Sequence, residues 1–167
     1  MTLVETMVAG ALSVVLLGSV FFCNYLLERS GYEYSTNIEI TTKARQVVEQ
    51  MVWGKNVVGT ANRRGIAEAR TAVITPTQID YMDVDGIQHS VRQNNGNIEY
   101  RRTAGGTWSI LLDPNGQPAY DPTKYTTNLS FTQTTPDAVV VRLVLGKNFR
   151  GRWHYGSIST QVAFRNA

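Results

Sequence analysis

Residues 6–27 read TMVAGALSVVLLGSVFFCNYLL, twenty-two positions without a charged side chain. A helix rising about 1.5 Å per residue makes this segment about 33 Å long, against a hydrocarbon core about 30 Å thick. The stretch therefore reads as a helix able to cross a bilayer. Asn24 and the two serines interrupt it only mildly, and Glu28 with Arg29 closes it. A cleavable secretory signal puts positive charge ahead of a shorter apolar region. Here the charge ahead of the run is the acid Glu5, so an ordinary signal peptide is rejected.

Glu5 needs a cause of its own. An ionised carboxylate costs about 2.5–3.5 kcal/mol at the centre of a membrane helix, and less toward an end, unless a cation or a proton neutralises it. The first basic side chain along the sequence is Arg29, far out of reach. The nearest positive charge is the α-amine of residue 1, one turn away in the same chain or supplied by a neighbouring copy. Two such groups buried among apolar helices recover their desolvation cost only by meeting, which would make Glu5 a register device. The plainer reading is an acid favoured by the positive end of the helix dipole.

Outward from this segment, the 167 residues suffice for one globular unit. The hydrophobic share is 43% and the formal charge +3, and the Lys and Arg residues are scattered, so charge alone does not signal nucleic-acid binding. Cys23 is the single cysteine, which excludes an intrachain disulfide and a cysteine-based metal site.

The opening residues MTLVETMVAGALSVVLLGSVFF resemble the start of mature type IV pilins and type II secretion pseudopilins. Their pattern is a first residue, often Phe, then Thr-Leu-hydrophobic-Glu and an apolar helix. Thr2, Leu3, Val4 and Glu5 fit position by position, and Met1 is a tolerated departure. The resemblance implies a precursor whose short basic leader is removed by a prepilin peptidase that also N-methylates Met1. It further implies that Glu5 neutralises the residue-1 amine of an adjacent subunit, so that Met1, Thr2 and Glu5 set subunit register and assembly. Phe22 stands where many major pilins have a helix-distorting proline, and no cysteine pair staples a C-terminal loop; both departures suggest closer likeness to minor pilins and pseudopilins.

Beyond Leu27 the helical pattern loosens and then resumes at Ile40, Ala44, Val47, Val48 and Met51, the spacing of one helical face. Gly54 is the expected stop. Downstream the period changes to two. The segments TQIDYMDV, IQHSVRQ, NIEYRR and TWSILL, separated by Asp85-Gly86, residues 94–97 and residues 104–106, predict a four-strand antiparallel meander. NLSFTQTT, AVVVRLVLG and SISTQVAFRN follow as strands, the first two joined at Pro136-Asp137. The expected fold class is α+β, a long N-terminal helix packed on an antiparallel β-sheet head. Residues 1–27 form the apolar helix, 28–54 its amphipathic continuation and 55–167 the head.

Sites of other kinds find little support. His89 and His154 have no partners at metal-ligand spacing. Asp83, Asp85 and Gly86 imitate part of a calcium loop, but Tyr81 occupies its first acid position. Residues 113–125, DPNGQPAYDPTKY, read as a proline-shaped surface loop, with calcium a minor alternative that the resemblance raises. Arg63, Arg64, Arg70, Arg101, Arg102, Lys147, Arg150 and Arg152, with Trp153 and Tyr155 among them, carry a weak DNA-binding alternative to a solvated face. No nucleophile turn or phosphate loop is present, so neither an enzyme nor a cofactor is expected.

The function expected is that of a structural subunit of a pilus-like surface filament. Its partners would be copies of itself, other pilins, the prepilin peptidase and inner-membrane assembly machinery. Before assembly the chain would sit in the inner membrane with its head in the periplasm. Two alternatives stand beside this: a minor pilin or pseudopilin that primes or tips a filament, and a membrane-anchored periplasmic binding module that never polymerises.

Overall fold

The computed structural model describes residues 2–54, 64–112 and 117–165. Among these residues one α-helix, α1 (Leu3–Trp53), is followed by a 3-10 turn (Ile66–Glu68) and eight strands. The chain divides into two compact units, Met1–Thr36 and Asn37–Ala167.

The first unit is helical from Leu3 onward. An eighteen-residue window within α1 has a mean hydropathy of 2.2 and none of it is buried, so α1 carries a segment long and apolar enough to cross a membrane. Leu3, Val14, Leu16, Phe21 and Leu27 are all exposed. The hydroxyls of Ser13 and Ser19 donate to the carbonyls of Ala9 and Val15, each at 2.8 Å, and Thr6 donates likewise to Thr2 at 3.1 Å. Such back-bonding satisfies a hydroxyl inside its own helix.

In the second unit, Ile40, Ala44, Val47, Val48 and Met51 are buried, as the predicted stripe required. Gly54 follows Trp53 at φ +62°, the left-handed conformation common just past a helix end. Five strands form one antiparallel sheet in the order β1 (Ala69–Thr75), β2 (Gln78–Asp83), β3 (Gln88–Asn94), β4 (Asn97–Arg102), β5 (Ser109–Ile110). A second sheet holds β6 (Tyr125–Thr135), β7 (Ala138–Phe149) and β8 (Arg152–Ala163). One core joins α1 to both sheets, with Ile79, Val91 and Ile98 from the first and Leu129, Val141, Leu143 and Leu145 from the second.

The α+β class is as expected, but the head differs in detail. The meander has five strands, because ARTAVIT forms β1; Val73 points outward on this edge strand at 68% exposed, which blurs the alternation that would have marked it. TWSILL contributes only Ser109–Ile110. The last three strands are longer than predicted, since β7 and β8 meet at Arg150-Gly151, both at positive φ (51° and 78°). The sheet is also double. The edge of β6 is met by side chains and loops of the first sheet: Gln93 donates to Thr127 O at 2.8 Å and accepts from Leu129 N at 2.7 Å, and Phe131 N donates to Pro76 O at 3.0 Å. These contacts satisfy backbone groups that a free edge would leave to solvent.

Candidate assembly determinant and head surface

At the N-terminus, Thr2 is the residue before the helix and Glu5 the third within it. Glu5 Oε2 accepts from Thr2 N at 2.8 Å, and Thr2 Oγ1 accepts from Glu5 N at 3.4 Å. This reciprocal pair is a capping box. Its sequence signature, Thr-x-x-Glu ahead of an apolar run, was readable in TLVE. Glu5 thus has a partner in its own chain, and the plainer helix-start reading acquires a geometry. Met1 lies outside the described residues, and so does any pairing of its amine with Glu5.

Within the head unit, the helix is latched to the second sheet by Glu39. Lys147 Nζ donates to both carboxylate oxygens at 2.8 and 2.7 Å, and Tyr125 OH donates to the same carboxylate. The Lys147 ammonium, then the Tyr125 hydroxyl, holds Glu39 below the usual carboxylate range. Burial, together with the Glu39 charge, pushes the Tyr125 phenol up. On β8, Gly156 is a point of close approach to the helix, where a Cβ would come within 2.9 Å of Ile40 Cγ2. Glu39 did not stand out in the sequence, and Lys147 did so only among the scattered basic residues, because their pairing joins two positions 108 residues apart.

His89 is buried and closes a polar chain. Its Nε2 lies 2.9 Å from Asp83 Oδ2 and its Nδ1 2.6 Å from Tyr100 OH, with its ring between those of Tyr81 and Tyr100. Asp83 Oδ1 accepts from the amides of Asp85 and Ile87 at 2.9 and 2.8 Å, so the Asp85-Gly86 turn is a hairpin held from within. Burial alone would raise the Asp83 carboxyl, but the His89 contact and the two amides outweigh it and leave it lowered. Asp83 and His89 are each 1% exposed, so these two members of the network are shut off from solvent.

Several of the scattered basic residues are engaged by partners of their own. Arg64 pairs with Glu68 at 2.7 Å and Asp85 at 2.9 Å, Arg92 and Arg101 lie against the Trp108 ring at 3.9 and 4.6 Å, and Lys147 is held by Glu39. Arg63 lies outside the described residues. At the β7–β8 turn, Arg150 and Arg152 are exposed beside Trp153 and Tyr155, whose rings stack at 6.2 Å. In the loop read as a minor calcium alternative, residues 113–116 lie outside the described residues, and Asp121 is occupied by Thr123 and Lys124. Among the described residues no three His, Cys, Asp or Glu side chains converge on a metal position.

No family model, curated protein or solved structure matches the chain.

Proposed function

We propose that this chain is a structural subunit of a type IV pilus-like surface filament, polymerising through its N-terminal helix. The observation that carries the reading is the exposed apolar arm of α1, free of charge over residues 6–27 and begun by the Thr2–Glu5 box. Contiguous apolar surface beyond a few hundred Å2 signals an unmet partner, and this arm meets the requirement with lipid first and with other copies of itself after assembly. Repeated non-closing contacts between such helices generate a helical polymer. Met1 is the proposed site of N-methylation by the prepilin peptidase. Minor pilins and pseudopilins share this chemistry, and copy number separates them: filaments sheared from cells and quantified by mass spectrometry contain this chain as the dominant component if it is the major subunit.

The capping box favours a second reading, since it gives Glu5 a role with no neighbour involved: a membrane-anchored module with its head in the periplasm. Glu5→Gln separates the two. Glutamine serves at the same capping position but carries no charge to pair with an amine. Filaments abolished in both Glu5→Gln and Glu5→Ala are the expected result. Normal filaments in Glu5→Gln would reduce Glu5 to a helix cap, and a retained, unmethylated leader would favour the anchored module.

A further inference from the structure

We propose that the tip of the β7–β8 hairpin, residues 148–155, docks on anionic phospholipid headgroups and holds the head against the membrane that its own arm anchors in. The proposal rests on the membrane-anchoring part of the function above, not on polymerisation. Charge complementarity is its first support. The tip itself carries Arg150 and Arg152, both exposed, and from residue 138 to the C-terminus the sequence contains no Asp or Glu. The nearby carboxylate of Glu39 is already neutralised by Lys147 at 2.7 Å.

The second support is the form of the tip. Trp153 and Tyr155 are 48% and 63% exposed with their rings stacked at 6.2 Å and 21°. Tyr155 is propped on its cross-strand partner Gly146, where a Cβ would lie 2.6 Å from the ring. Aromatic rings presented rigidly beside arginines match the belt of amphipathic side chains that occupies the headgroup level of membranes, and arginine there attracts anionic lipid.

Position is the third. The Glu39–Lys147 pair and the Ile40–Gly156 contact set the tip at the end of the head unit where α1 enters it. Nine residues, 28–36, separate the charge-free run from that unit, about 14 Å of helix, of which the headgroup layer takes about 6 Å. Tyr32 and Tyr34 are exposed along the same stretch. The tip is therefore within reach of the headgroups through chain length alone. Single-stranded nucleic acid would need a basic track spanning several nucleotides, and Arg64, Arg101 and Lys147 are engaged elsewhere in the head.

The test uses the whole chain reconstituted into vesicles of phosphatidylcholine alone or mixed with phosphatidylglycerol, each carrying lipid brominated near the headgroup. Trp153 is read as the difference between the parent and Trp153→Phe, with flotation recording whether the chain is anchored. The expected result is blue-shifted, bromine-quenched Trp153 emission in the phosphatidylglycerol vesicles. Arg150→Asn with Arg152→Gln should lose that quenching while still floating; asparagine suits the left-handed backbone at residue 150 (φ 51°). A chain that floats with Trp153 emission identical in both lipids overturns the proposal while leaving the anchor intact. A chain that does not float overturns the anchoring reading and the proposal with it. Trp153 emission shifted by a single-stranded oligonucleotide and not by phosphatidylglycerol would overturn it in favour of nucleic acid.

Discussion

Acid acts on the head through Glu39 and Asp83. Both carboxyls sit below their ordinary values when folded, so each binds a proton more readily in the unfolded chain, and stability present at neutral pH is lost as pH falls through the folded values. Thermal melts of the head should therefore drop in midpoint below about pH 4.5, the ordinary value for Glu39. Lys147→Met removes the largest cause of the Glu39 shift and should flatten that acid slope. At neutral pH its cost is about 1 kcal/mol, because the Glu39 carboxylate is 46% exposed and solvent screens the pair. An unchanged slope in Lys147→Met would show that the latch does not couple Glu39 to folding.

Gly65 decides how the first sheet joins the end of α1. A Cβ there would lie 2.2 Å from Val52 O and 2.3 Å from Gly54 N, backbone atoms with no rotamer to yield. Its φ of −87° is ordinary, so the requirement for glycine is close approach alone. Gly65→Ala should destabilise the head by about 3 kcal/mol, toward the upper end for overpacking, measured by denaturant titration; a loss under 1 kcal/mol would mean the helix end shifts freely. Elements of this kind divide sharply in how well the sequence announces them. The helix was legible from its uncharged run, its 40–44–47–48–51 stripe and its glycine stop, and the hairpins at Asp85-Gly86 and Asn95-Gly96 from their turn chemistry. The β7–β8 turn was not, because Arg150 is an unusual occupant of a left-handed position. Gln93 was equally silent: its amide bridges two sheets, and nothing local distinguishes it from a solvated glutamine. The Thr2–Glu5 box, by contrast, was written in four residues and eclipsed by the stronger question of what neutralises Glu5.

On the scale of the whole chain, solubility should divide where the sequence does. The head carries its own core, from Ile40 to Phe164, whereas the arm has none of its hydropathic window buried. A variant beginning at residue 28 should remain in solution without detergent and melt cooperatively, while the full chain should sediment with membranes and need detergent for extraction. A head fragment that aggregates would show that residues 1–27 contribute to its folding. The hydroxyls of Thr6, Ser13 and Ser19 bear on what happens to the arm afterwards. Because they are spent within their own helix, they make no demand on whatever surrounds it, and Asn24 is the one side-chain amide the run contains. In the proposed filament, moving such a rod from lipid to neighbouring copies would ask nothing new of these three hydroxyls. That exchange would be governed by shape and dispersion along the rest of the run.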